Sequence, residues 1–366
     1  MLALGEPAHT IFAAAAAANG FLTVYAPKDF GVNVTIVDQT RRNQTLSEVD
    51  MKLCVDGLSS PPPAVVLVGM AYLMQLQFAA AFLDHGAVGA TPNAVIGFDD
   101  GFDRFDPSSL QGLFVSGAPA IGSVGPAITD FFVTASTIAV AARAYASKQK
   151  IRLNVLTTGS PTIASWADAA ANSTQIALTR AALFGADTRP AILYAGGYGT
   201  GANESLRLFA KAVLATNTSY QYAFSPHPGI PSSRALEIFE ECGVLDLVLI
   251  VDKSICAGTG LAAVACNATV SEGSTVAVQS VFVGVPSFYI ANSTADAANV
   301  LVDSGQIPVD TTVAAAISTL RSFEAEGWHF DRSRLDNAGI PTNATAIMCK
   351  RVADLLKQRG VSDPSV

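Results

Sequence analysis

The feature that most constrains this chain is an alternation that runs twice through it: a short apolar run, then an Ala-rich stretch of helical composition, then another apolar run. Apolar runs of four to eight residues bounded by Gly, Pro or Asp, spaced by segments long enough for a helix, predict parallel strands joined by crossover helices. In the first half, LALGE predicts a strand and HTIFAAAAAANG a helix closed by Gly20. FLTVYA, NVTIVD, AVVLVG, AVIGFDDG, ITDFFVTAS and LNVLTTGSP follow as strands, with helices to about Asp84 and through Tyr145, and a helix from Ile163 to Phe184. The pattern restarts after GADTRP. AILYAGGYGTGANESLRLFAKAV reads as strand, Gly-rich loop and helix, YQYAFSPHP and LDLVLIV as strands, and NATVSEGSTVAVQSVFVGVPSFYI as strand, loop, helix, strand. Helices are predicted over Thr311–Glu326 and Ala344–Gln358, the last with Ile347, Val352, Leu355 and Leu356 at helical spacing.

The expectation is therefore an α/β protein with two Rossmann-like domains whose parallel sheets face each other across a cleft. The first spans residues 1–187, the second 188–343, and a terminal segment, 344–366, packs at their junction. A chain of 366 residues suits two domains, and a composition half hydrophobic and only 14% charged calls for large buried cores rather than disorder. The net charge of −8 argues against a nucleic-acid binder or a protein held on anionic lipid. The longest apolar stretch, Pro63 to Leu83, is interrupted by Gln75 and Gln77, and no membrane span is expected. MLALGEPAHT has no basic start of the signal-peptide kind, so a soluble protein is expected. Five cysteines without C-x-x-C spacing support neither a zinc site nor a disulfide framework. Eight of thirteen asparagines stand in N-x-[S/T] sequons, where about two would arise by chance, leaving both secretory passage and accident open.

Ligands of parallel sheets bind beyond the carboxyl ends of the strands, so residues just after strands are the candidates. Asp99-Asp100-Gly101 follows AVIGF; two adjacent acids repel, which suits one of them to act as a general base, while an ordinary Asp-Gly turn is the plainer account. His227-Pro228 ends the strand YQYAF-S-P and offers a hydrogen-bond donor for a phosphate, or simply a wet turn residue. Glu272-Gly273-Ser274-Thr275 precedes a helix; Ser274 and Thr275 suit a helix cap, and the same geometry makes an anion site. Gly196-Gly197-Tyr198-Gly199-Thr200-Gly201-Ala202 fits G-x-G-x-x-A, but the next strand ends in Ser225-Pro226-His227 rather than an acid for a ribose, so a nicotinamide or flavin cofactor is not expected. A P-loop lysine and a G-x-S-x-G elbow are both missing.

The order of D-D-G in the first half, then a Gly-rich strand–helix junction, H-P, and S-T before a helix ending in G-V-P resembles GT-B glycosyltransferases, in particular the bacterial-type sialyltransferase and polysialyltransferase group. The resemblance covers most of the chain in architecture and about ten residues in motif. It implies a metal-independent transfer of a sugar from a nucleotide-sugar donor to a glycan or other hydroxyl acceptor, with no separate cofactor. Asp100, next to the Gly, would be the base, with Asp99 its alternative. His227 and Pro228 would meet the donor phosphate, His227 assisting departure of the nucleotide. Gly197 and Gly199 would bring loop amides close, and Ser274 and Thr275 would hold the phosphate at the helix start. The position before H-P, often basic in that group, is occupied here by Ser225-Pro226. Two other functions fit the same fold: a non-hydrolysing nucleotide-sugar 2-epimerase, whose D-S-G-G followed by acids is here VSEGSTVAVQS, and a non-catalytic glycan- or nucleotide-binding relative.

Overall fold

In a computed structural model of the chain, the structure describes residues 2–4, 24–25, 65–69, 94–99, 101–105, 128–150, 152–197, 201–227, 232–251, 256, 258–294 and 297–358. The chain divides into two compact units: residues 1–101, 105–162 and 339–366 form the first, and 102–104 with 163–338 the second.

The first unit holds β1 (Leu2–Leu4), β2 (Val24–Tyr25), β3 (Val65–Gly69), β4 (Ala94–Asp99), β5 (Asp130–Val133) and β6 (Asn154–Thr157), hydrogen-bonded in the order β2-β1-β3-β4-β5-β6 with every pair parallel. Helix α1 (Ser136–Lys148) buries Ile138, Ala139, Ala142 and Ala146, the stripe that helical spacing predicts. Asp130, only 2% exposed, accepts from Asn154 Nδ2 (2.5 Å), Thr129 Oγ1 (3.0 Å) and Arg351 Nε (2.9 Å). The chain re-enters this unit through Gly339, whose carbonyl accepts from Ser136 N at 2.9 Å. Gly339 has φ +63°, and a Cβ there would lie 2.0 Å from Ser136 Oγ, so a left-handed, side-chain-free residue is required.

The second unit opens with α2 (Thr162–Ala171), whose Thr162 still belongs to the first unit, and α3 (Ser173–Phe184). The continuous helix expected over Ile163–Phe184 is broken at Asn172, whose side chain leaves the ladder and caps α3 by accepting from Gln175 N at 3.0 Å. There follow β7 (Ala191–Ala195), α4 (Ala202–Thr216), β8 (Gln221–Ser225), α5 (Ser233–Glu241), β9 (Val248–Ile250), α6 (Thr259–Ala265), β10 (Ala268–Ser271), α7 (Thr275–Phe282), β11 (Ser287–Ile290), α8 (Val300–Asp303), β12 (Val309–Asp310) and α9 (Val313–Ala325). The strands are all parallel, in the order β12-β11-β10-β7-β8-β9. Strand order therefore reverses between β7 and β10, the switch point at which such sheets leave a crevice for ligands.

Strand β7 is buried along its whole length, as its unbroken apolar run requires of a central parallel strand. Beside it, Tyr194 and Phe209 rings meet at 4.7 Å and Phe224 and Phe239 edge-to-face at 5.3 Å. Each such buried ring contributes about 1.5–3 kcal/mol through the water it excludes.

The units divide at Thr162, not at residue 187. The reason is Arg180 on α3, whose Nη1 donates to the Ala265 carbonyl and to Asn267 Oδ1 (both 3.0 Å) and whose Nη2 donates to the Arg189 carbonyl (2.8 Å), tying the helix to the sheet of the second unit. Nor is 344–366 a separate segment: α10 (Ala344–Gln358) belongs to the first unit, buries Met348, Val352 and Leu355, and supplies Arg351 to Asp130. Ile347 is half-buried there.

Candidate functional site

The second unit gathers several of the expected residues at the carboxyl ends of β7, β8 and β10. Gly196 N donates to the Ser225 carbonyl at 2.9 Å, extending the β7–β8 ladder one residue beyond β7. A Cβ on Gly196 would stand 3.1 Å from His227 N and 3.2 Å from the Ser225 carbonyl oxygen, so a side chain there would push the two chain segments apart by a few tenths of an ångström. His227, half-buried, is thereby fixed beside the start of the Gly-rich loop. Burial holds its pKa below the usual histidine value, so at neutral pH the imidazole is an uncharged hydrogen-bonding group.

On the other side of β7, across the switch point, stands Glu272. Its carboxylate lies between the two ends of the Gly-rich loop: a Cβ on Gly197 would be 2.8 Å from Oε2, and one on Gly201 3.0 Å from Oε1. Glu272 is 6% exposed, and its charge helps burial to raise the pKa of the Tyr194 phenol, which bonds with Ser205 Oγ at 2.8 Å. A carboxylate here accepts from amides or hydroxyls and repels a phosphate; at about 5 Å and an effective dielectric of 20 the repulsion between unit charges is about 3 kcal/mol.

Two residues on, Ser274 caps α7, its Oγ accepting from Val276 N at 3.3 Å. The Ser274 carbonyl accepts from Tyr289 OH at 3.2 Å, and that phenol accepts from Asn299 Nδ2 at 2.8 Å while Asn299 Oδ1 caps α8 through Leu301 N and Val302 N. This chain of polar contacts fixes the position of the α7 start. Ser274 is half-buried with its hydroxyl engaged in capping Val276 N, Ala277 N is taken by the Ser274 carbonyl, and Gly273 and Thr275 are exposed at the start of the helix.

In the first unit, Asp99 ends β4 and its Oδ1 accepts from Gly101 N at 3.0 Å, which makes it the turn-forming acid of the pair. Asp100, Gly199 and Pro228 lie outside the described residues. The structure thus brings Gly197, His227, Ser274 and Thr275 to one set of strand ends in the second unit, and places Asp99 in the first. Glu272 is named in the sequence as the first residue of the Glu272–Thr275 motif but is given no role there; the structure sets its carboxylate against Gly197 and Gly201. Among the described residues, no group of three His, Cys, Asp or Glu is placed to hold a metal ion, and no helix is long and apolar enough to cross a membrane.

No protein-family model matches the chain, and no curated protein matches it in sequence. Its structure is similar to that of S. aureus MnaA with UDP, at 12% identity and a TM-score of 0.64 over 98% of this chain and 96% of that one. It is similar to UDP-GlcNAc 2-epimerase from Neisseria meningitidis bound to UDP-GlcNAc, at 11% identity and a TM-score of 0.62 over 96% and 99%. Trehalose-6-phosphate synthase OtsA is similar at 12% identity and a TM-score of 0.55, over 84% of this chain and 75% of that one. At such identities the likeness is one of fold, and the fold is α/β of the GT-B type, built from two parallel sheets.

Proposed function

We propose that this protein binds a nucleotide sugar with its second unit and transfers the sugar to a hydroxyl of a glycan or other acceptor. The observation that carries the reading is the meeting of Gly196, Gly197, His227 and the Glu272–Thr275 turn at the switch point of the second sheet. In this reading the donor phosphate is met by Ser274 and Thr275 at the start of α7, where the helix dipole places a partial positive charge of about half a unit, and by His227. Gly197 and Gly199 offer loop amides to the ligand, the Glu272 carboxylate taking the space a side chain on Gly197 would need, and Pro228 stiffens the chain after His227. Glu272 holds the Gly-rich loop and accepts from ligand hydroxyls. Asp100 takes the acceptor's proton as its oxygen attacks the anomeric carbon; the bond from that carbon to the phosphate breaks, and His227 and the α7 start stabilise the charge left on the nucleotide. No metal or resident cofactor takes part.

A second reading, a nucleotide-sugar 2-epimerase, is favoured by the full-length likeness to the epimerase structures. Ser271-Glu272-Gly273-Ser274 stands where those enzymes carry D-S-G-G, which weighs against it.

The test is calorimetric titration of CMP, UMP, UDP and GDP, each beside its nucleoside, into the parent protein and His227→Ala. Removal of the imidazole is expected to weaken the nucleotide about ten- to a hundredfold and the nucleoside little, the loss of one hydrogen bond to a charged group, about 1.5–3 kcal/mol. CMP as the strongest ligand would favour the sialyltransferase-like form of the reading. Equal losses for nucleotide and nucleoside would remove His227 from the phosphate, and failure of every nucleotide to bind would remove the site. Incubation with UDP-GlcNAc, followed by NMR, separates the two reactions: appearance of its C2 epimer selects the epimerase.

A further inference from the structure

Eight sequons among thirteen asparagines are a signal that a nucleotide-sugar site does not use. Six of them fall on described residues, and all six sit at the ends of elements. Asn172 separates α2 from α3, Asn203 is in the first turn of α4 and Asn217 follows that helix; Asn267 directly precedes β10, Asn292 lies beyond β11, and Asn343 directly precedes α10. Two asparagines outside sequons are used differently, with their amide nitrogens tied into the fold: Asn154 Nδ2 donates to Asp130 at 2.5 Å and Asn299 Nδ2 to Tyr289 OH at 2.8 Å.

A glycan is attached through Nδ2, so what matters is whether that atom is accessible. Asn172 is exposed, and its cap of α3 runs through Oδ1 to Gln175 N, a bond that survives substitution on the nitrogen. Asn343 is exposed at the start of α10, its fold contact being the backbone carbonyl that accepts from Ile347 N. Asn267 is the contrary case. It is half-buried, and its Oδ1 accepts from Ala191 N at 2.9 Å and Arg180 Nη1 at 3.0 Å, so the side chain is packed between the starts of β7 and β10 and the Arg180 guanidinium. Three of the four described cysteines (Cys256, Cys266 and Cys349) are buried, and burial raises the pKa of the Cys266 thiol to about 12, so these thiols are shielded from an oxidising compartment.

We propose that Asn172 and Asn343 carry N-linked glycans, added from a lipid-linked oligosaccharide diphosphate as the chain passes an oligosaccharyltransferase, and that Asn267 stays bare. In the transfer, Nδ2 forms a bond to the anomeric carbon, the bond from that carbon to the lipid diphosphate breaks, the amide loses one proton and the lipid diphosphate leaves. The experiment is peptide mapping by mass spectrometry of the protein isolated from its native source, after release of glycans by peptide N-glycosidase in ¹⁸O water. The expected result is ¹⁸O-labelled aspartate at positions 172 and 343 and unmodified asparagine at 267. Unmodified asparagine at either 172 or 343, or a glycan on Asn267, overturns the proposal.

Discussion

At the scale of single residues, the placement of His227 sets a pH dependence. Its pKa in the folded, ligand-free protein is below the ordinary 6.5, so its neutral form contributes stability that is present above that value and is lost as pH falls through the folded pKa. A bound phosphate reverses the preference and raises the pKa, so binding takes up a proton. Affinity for a nucleotide sugar, whose phosphate charges do not titrate in this range, is therefore expected to rise as pH falls through the ordinary histidine range and to level off below the free pKa. Titrations of UDP-GlcNAc across that range should show the rise in the parent and a flat profile in His227→Ala. The acids after β4 separate in the same way. Asp99 forms the turn through Gly101 N, a task asparagine also performs, so Asp99→Asn is expected to keep most turnover, whereas Asp100→Asn should lower transfer about 10²–10⁴-fold with nucleotide binding unchanged. These motif residues were legible because apolar parallel strands announce where they end. The role of Glu272 was not, since only the sheet order puts the end of β10 beside the Gly-rich loop that follows β7.

At the scale of elements, the longer apolar strands and amphipathic helices among the described residues followed their patterns, and the short elements did not; the expected helix HTIFAAAAAANG, the strand NVTIVD and the helix to about Asp84 lie outside the described residues. Helix α5 lies behind the Pro- and Gly-rich run PHPGIPSS, and α6 is a seven-residue Thr-Gly-Leu-Ala stretch; neither is long enough for a helical period to stand out. The break at Asn172 was hidden for the opposite reason, because helical spacing runs on from the Ala-rich stretch before it into α3 and only the cap decides. The attachment of α10 was equally invisible, since a sequence shows an amphipathic helix but not the acid it will meet. Arg351 faces an Asp130 carboxylate that is 2% exposed. Arg351→Ala leaves that carboxylate with Asn154 and Thr129 but without a countercharge, and is expected to destabilise the first unit by about 3 kcal/mol. The midpoint of urea unfolding followed in the parent and the variant measures it, and a loss within about 0.5 kcal/mol, the range of an ordinary surface change, would show the pair to be dispensable.

At the scale of the whole molecule, the two units differ in how the chain supplies them. Apart from residues 102–104, the second is one run, 163–338, while the first is assembled from three segments, the last beginning at Gly339. A chain ending at Ala338 is expected to keep the second unit protected from limited proteolysis and to lose protection of β4, β5 and β6, with mass spectrometry of the fragments as the readout. Equal resistance of both halves would show that 339–366 is an accessory. For a protein made from its amino terminus, this has a consequence in time. Every strand of the first sheet is synthesised before the main run of the second unit, 163–338, yet Asp130 waits for Arg351 until nearly all of the chain has been made. The half that is synthesised first is the half that finishes folding last, and during that interval its exposed strands depend on chaperones, or on speed, to escape the wrong partner.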